Sequence, residues 1–246
     1  RHTRFKCDGV QTCALPISTI KVYDSSPAPY VSFVNTFGDT ARSLLFTAGW
    51  ARDRRDSFLY PTSGVYQRAS VEVATPVLDM RYIRGNYQHQ YWIPFGGGYA
   101  LMLNGDFGYA HGYDGKELPF YKNFYAGGIG SVRGYEQSTL GPRYTDTNGY
   151  VRALGGNRRV VGNAEYYFPM PGTQKDKSMR LSLFADAGYV WAADDKVRAS
   201  DLRYSAGLAF SWSSPVGPLK FSLGQALKKQ EGDKTQKFQF QLGTVF

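Results

Sequence analysis

The feature that most constrains this chain is a strict alternation of side-chain character toward its C-terminus. Phe238, Phe240, Leu242, Thr244 and Phe246 share one face, and Gln239, Gln241, Gly243 and Val245 the other. Leu219, Phe221, Leu223 and Leu227 oppose Lys220, Ser222, Gly224 and Lys228. Leu202, Tyr204, Leu208, Phe210 and Trp212 oppose Arg203, Ser205, Gly207 and Ser211. Met179, Leu181, Leu183, Tyr189 and Trp191 oppose Arg180, Ser182, Asp186 and Gly188. A period of two is the signature of a β-strand with unlike faces. Consecutive strands of this kind leave two architectures, a soluble sandwich or a membrane barrel. Charges and glycines at mid-strand suit a wetted lumen, and aromatics near strand ends (Tyr189, Trp191, Phe210, Trp212, Phe246) suit interfacial girdles. The pattern alone leaves both open.

Composition narrows the choice. Mean hydropathy is −0.40, and no run reaches the roughly 18 apolar residues a spanning helix requires. A helical membrane protein is excluded and a barrel is not, because alternating strands average to a polar score. Aromatics make up 16% and there are 28 glycines, which favours strands and tight turns. The formal charge of +9 lacks the basic runs, helix-turn-helix or zinc spacing of a nucleic-acid binder. Basic residues facing a lumen or lipid headgroups fit better. Earlier strands are expected near 44–53, 64–75, 80–93, 98–110 and 158–168, about nine in all, with turns such as Tyr60-Pro61-Thr62-Ser63-Gly64 and Phe95-Gly96-Gly97-Gly98 between them. The charged segments 192–200 and 229–234 belong at the end opposite the short turns.

Between two of these strands runs a long connection, 111–157, that a simple surface loop does not explain. Its centre reads FYAGGIGSVRGYEQSTLGPR, Phe124 to Arg143. It combines glycines, aromatics and one arginine, the composition of a loop that folds back and packs inside something. A buried Arg133 would need carboxylate partners; a solvated one would not. Strand parity places Glu165 with Asn163 and Tyr167, and Asp186 on the polar face of its own strand.

Val132-Arg133-Gly134-Tyr135, with the preceding Gly115-Lys116-Glu117-Leu118-Pro119-Phe120-Tyr121-Lys122-Asn123-Phe124-Tyr125-Ala126-Gly127-Gly128, resembles the signature loop of BamA-type outer-membrane β-barrel assembly proteins. The resemblance runs from about Ser43 to Phe246. It implies an all-β fold, an antiparallel transmembrane β-barrel of which about nine strands are present. That is part of a larger barrel of about sixteen, with receptor (POTRA) domains and further strands lying outside this sequence. It also implies that Arg133 pins the loop inside the barrel against Glu165 and Asp186. The ending FQFQLGTVF is similar to the C-terminal signal of outer-membrane proteins, with Phe238, Phe240, Leu242 and the terminal aromatic Phe246. Gly243 sits where the family's last strand bends to form a lateral gate, and a client strand would add to that edge. An ordinary closing strand would also end in an aromatic.

The resemblance implies a bacterial outer-membrane protein that folds and inserts other barrels. Its partners would be unfolded barrel clients, outer-membrane lipids and assembly lipoproteins. It implies no cofactor, metal or nucleic acid. A two-partner secretion transporter or TamA-like protein shares the VRGY signature, and a passive porin is a third reading. Catalysis is not indicated: His2, His89 and His111 have no serine or cysteine nucleophile arranged beside them.

Residues 1–18 stand apart. RHTRFKCDGVQTCALPIS lacks alternation, and Cys7 and Cys13 fit neither a zinc nor a thioredoxin spacing. We expect an unstructured, non-native head joined to the gene, with a divergent or disulfide-closed loop as the alternative. Residues 19–43 are expected to be loop and partial strand, and 44–246 the barrel.

Overall fold

The computed structural model describes residues 6–14, 16–23, 26–146, 149–170, 172, 178–214 and 217–243. Ten strands form one sheet: β1 (Lys6–Ala14), β2 (Leu45–Asp53), β3 (Gly64–Ala74), β4 (Tyr82–Gly96), β5 (Tyr99–Gly112), β6 (Arg158–Pro169), β7 (Met179–Trp191), β8 (Arg203–Ser214), β9 (Gly217–Ala226) and β10 (Phe238–Leu242). Each pairs antiparallel with its neighbours in chain order, so the sheet is a simple meander. The nine strands from β2 onward match the sequence expectation closely in position.

Alternation carries into three dimensions. Leu223, Phe238, Phe240 and Leu242 are each more than half exposed on the outer face, and Leu103, Phe107, Leu183 and Leu208 extend this apolar surface. Ser182, Ser205, Ser222, Asp186 and Gln239 are buried on the inner face. This is the reverse of a soluble fold, in which the apolar faces would meet. At the short-turn end Phe95 and Tyr99 cluster with Tyr166 at 5.9 and 6.2 Å between ring centroids, and Trp212 is exposed nearby on β8. Trp191 departs from the expected girdle. It is buried at the long-loop end and its Nε1 donates to Asp201 Oδ2 at 2.9 Å.

The sheet curves around its own loop. Residues 122–135 alone meet β3 (Lys122 Nζ to Glu72, 2.7 Å), β5 (Phe124 against Gly108), β7 (Arg133 to Asp186) and β10 (Tyr135 O accepting from Gln239). Strands β3 to β10 laid flat would span about 34 Å at the usual spacing. The segment could span that width only if it were largely extended, and it is not: it turns back on itself at 128–132, where Gly128 N–H donates to Val132 O at 3.0 Å, so the sheet is rolled around it.

Two parts differ from the sequence expectation. The head is not wholly unstructured, since Lys6–Ala14 pairs with β2 from Lys6↔Arg52 to Ala14↔Leu45, with a bulge between Cys7 and Val10. A free edge at β2 presents unpaired N–H and C=O groups, and any adjacent extended segment satisfies them. Among the described residues the sheet on that side therefore ends at β1 and not at the strand expected near 44–53. The segment 19–43 holds more than a loop and partial strand. Ile17–Thr19 pairs with Thr40–Arg42, and between them lies α1, Ala28–Phe37. Pro29 enters the first turn, where its missing N–H costs nothing, and Gly38 ends the helix at φ +89°. Tyr30, Phe33, Val34 and Phe37 recur at helical spacing. Tyr30 stacks on Phe120 of the long loop at 4.0 Å, and Phe33 meets the same ring edge-on at 5.7 Å. With Leu45, Met80 and Tyr82 they make an apolar cluster at the long-loop end of the sheet.

Candidate functional site: the inward loop and the last strand

The loop leaves β5 at Gly112 and returns to β6 at Arg158. Its stem is tied by Phe124, whose backbone exchanges hydrogen bonds with Gly156 at 2.7 and 3.0 Å. The Phe124 ring lies under two cations, Arg84 at 4.3 Å and Arg159 at 5.3 Å. It occupies the space that a side chain at Gly108 would fill.

From that stem the loop reaches Arg133. The guanidinium donates through Nε and Nη2 to the two oxygens of Asp186, each at 2.8 Å, and through Nη1 to Glu165 Oε2 at 2.9 Å. The Arg133 backbone N–H adds a bond to Asp186 Oδ2 at 3.0 Å. The guanidinium stacks 3.7 Å from the centre of the Phe184 ring. Arg133, Glu165 and Asp186 are 7%, 6% and 3% exposed, so charges are satisfied here by each other and not by water. The carboxylates are held in turn. Ser182 Oγ donates to Glu165 Oε1 at 2.6 Å, and Asn163 Nδ2 donates to Asp186 Oδ1 at 2.8 Å and to Ser131 O at 2.7 Å. Burial pulls the guanidinium pKa down, but the bond to Asp186 and the two nearby carboxylates outweigh it, and the net displacement is upward. The group is a permanent cation.

Val132 is fully buried against Gly188, where an added Cβ would lie 2.8 Å from its methyl. Gly134 has φ +83°, and its Cα lies flat on the β9 backbone at Gly224, so close that a Cβ on Gly224 would fall 3.1 Å from it. A side chain at either glycine would lift the tip off the wall. Gly134 and Tyr135 pair with Gln236 and Thr235 in a short antiparallel ladder. Tyr135 is fully buried; its hydroxyl donates to Lys228 O at 2.5 Å. Burial and the charge of Asp233 push that phenol up to about 12.

Sequence reasoning missed a second ionic cluster nearer the loop end. Asp233, whose side chain is fully buried, is gripped by Arg203 Nε at 2.5 Å and by Arg143 Nη2. Arg203 is 1% exposed, also donates to Gln230 Oε1 at 2.8 Å, and lies 4.7 Å over the Tyr189 ring. This joins the long loop (Arg143), β8 (Arg203) and the loop before the last strand (Asp233). Burial raises the Asp233 carboxyl, but the Arg203 bond and the Gln230 N–H outweigh it, leaving the pKa below the usual carboxylate range. The one sequence cue was charge at two loop positions and one strand end, which does not say which pairs with which.

On the last strand, Phe238, Phe240 and Leu242 point outward. Phe240 stacks on Phe221 of β9 at 5.6 Å. The ladder with β9 ends at Leu242, and Gly243 follows with φ +90°, its N–H still bonded to Pro218 O at 2.8 Å. Phe246 lies outside the described residues. Among the described residues no three His, Cys, Asp or Glu side chains are grouped to hold a metal ion.

A strand meander whose apolar face looks outward and whose inner face is filled by its own long loop is the wall of an outer-membrane β-barrel. The chain belongs to the Omp85 superfamily, whose domain model matches residues 17–246. It is 40% identical to the outer membrane protein assembly factor BamA of Neisseria meningitidis, over 93% of this chain and 33% of that protein. It is 29% identical to a SAM50-like protein of Schizosaccharomyces pombe, over 61% of this chain and 32% of the relative. Among solved structures, BamA from Haemophilus ducreyi lacking POTRA domains 1–3 superposes with a TM-score of 0.78 at 28% identity, covering 89% of this chain and 48% of that one. The chain thus spans about a third of the length of these curated relatives. The family match begins at residue 17, so most of the 1–18 head lies outside it.

Proposed function

We propose that this chain is the C-terminal part of the barrel of an outer-membrane protein assembly factor, which folds and inserts other β-barrels without catalysing a covalent reaction. The observation that carries the reading is the Arg133 anchorage: three bonds to Asp186 and one to Glu165, all from the VRGY motif. In a water-filled porin the lumen is open; here the signature loop is bound across it. The 40% identity to the Neisseria assembly factor supports assembly over secretion of a single exoprotein.

In this reading the pinned loop keeps the barrel wall in a defined shape, and the work is done at the free edge of β10. An edge strand carries unpaired N–H and C=O groups, and an incoming client strand can add to it by β-augmentation. Gly243, unable to continue the ladder regularly, lets the end of that strand turn away and open a lateral gate. Clients would be unfolded outer-membrane barrels. Assembly lipoproteins would bind mainly outside the residues present, and residues 1–18 would play no part in the barrel's work.

The test is replacement of the corresponding barrel segment of the Neisseria relative by residues 17–246. Restored levels of several unrelated barrels support an assembly factor. Loss of only one secreted protein on depletion points to a two-partner transporter, and ion conductance with normal barrel assembly points to a porin.

A further inference from the structure

β10 has a single partner strand among the described residues, and their ladder holds five residue pairs, Leu219↔Leu242 to Leu223↔Phe238. The neighbouring β8–β9 ladder holds ten. Beyond those pairs Gly224 N–H donates to Lys237 O and Gly243 N–H to Pro218 O, each at 2.8 Å, and the loop tip adds a further tie from the lumen side. Gln239 faces the lumen, is 5% exposed, and donates through Nε2 to Tyr135 O at 2.6 Å. Among the described residues its Oε1 has no partner, so this is the side chain's one bond there. Just before the strand, Thr235 and Gln236 pair with Tyr135 and Gly134, and Glu136 N–H donates to Lys234 O at 3.0 Å. The Tyr135 hydroxyl reaches the opposite limb of the same loop at Lys228 O. Tyr135 is therefore enclosed by both limbs of the 227–237 loop and by the last strand.

We infer that the Gly134–Tyr135 tip is the second partner of the last strand, and that Gln239 is the positioning residue that ties the strand to the Arg133-anchored loop. Its functional meaning rests on the assembly reading: a client that adds to the free edge of β10 would pull against the loop tip. By linkage, loosening the loop would loosen the strand and the reverse.

The test is backbone amide exchange, read by mass spectrometry on the full chain in lipid nanodiscs. Gln239→Glu keeps the shape but replaces the donor with an acceptor, and Gln239→Met removes it without charge, should the first fail to fold. Either should speed exchange across 238–242 about five- to tenfold, the scale of one lost buried hydrogen bond, while 127–133 stays protected. Gln239→Lys, which restores a donor of similar reach, should stay within about twofold of the parent. Arg133→Ala should also speed exchange at 238–242. Unchanged exchange at 238–242 in both donor-less variants overturns the tether, and so does a uniform rise across all the strands, which marks plain destabilisation. Insertion assays run alongside separate the two ideas. In the chimera with the Neisseria relative, a parent that inserts nothing sinks the assembly reading and leaves the exchange result standing, whereas an active parent chimera with unmoved exchange in the variants sinks the tether alone.

Discussion

Arg133 meets Asp186 three times: Nε and Nη2 each lie 2.8 Å from a carboxylate oxygen, and the Arg133 backbone N–H lies 3.0 Å from Oδ2. A fork of donors on one carboxylate fixes orientation as well as distance. The backbone bond means that the main chain of the loop, and not only a flexible side chain, is held to the β7 wall.

Arg133→Ala leaves two buried carboxylates uncompensated, at a cost of roughly 3–5 kcal/mol for a broken buried pair. The expected result is protease cleavage within 124–143, where the parent resists, and reduced insertion of clients. Arg133→Lys keeps the charge but cannot fork, so it should fall between the two. Limited proteolysis of membrane-embedded protein with mass mapping of the cuts checks this.

Gly134→Ala forces a side chain onto a φ of +83° with β9 backbone atoms 3.3 Å from the new Cβ. Left-handed backbone alone costs about 1–2 kcal/mol for an alanine, and the close contact adds to it. The expected outcome is loss of the short ladder with Thr235–Gln236 and a lower temperature for the heat-induced gel shift.

The Asp233 cluster gives a pH dependence. Its carboxyl is held below the ordinary range, so the folded state favours the charged form. That stabilisation is complete above the unfolded value near 3.9 and is lost as the pH falls through the lower folded value. Proteolysis or exchange of the 227–237 loop should be flat from pH 7 to 5 and rise below about 4. Asp233→Asn should show the loosened state at neutral pH.

Leu208 sits mid-strand on the outer face of β8 and is half exposed. Leu208→Arg should lower folding stability in bilayers by roughly 2–4 kcal/mol, the cost of arginine near a membrane midplane. Refolding titrations in lipid vesicles measure it. A soluble sandwich facing water at this position would lose almost nothing.

Much of this was legible from residue order because a strand exposes its faces in a fixed rhythm. The strands from β2 to β9 lie within a few residues of their expected bounds, and Glu165 and Asp186 fell on the inner face by parity alone. The pattern Tyr30, Phe33, Val34, Phe37 carried a helix at i, i+3, i+4, i+7. That signal was masked by Pro27 and Pro29 and by the expectation of a strand. Trp191 shows the opposite failure: strand-end position suggested lipid, but the loop bearing Asp201 folds over it.

By itself, then, the order of residues determined the strand rhythm, which side of each strand is apolar, and that one motif arginine would need anions if buried. Only the tertiary structure decided where the 113–157 connection goes, because that depends on contacts between residues far apart in sequence, such as Gln239 with Tyr135 and Asp233 with Arg143 and Arg203. A charge in a loop can pair with any of several opposite charges or with water, and chain closure around a curved sheet selects among them.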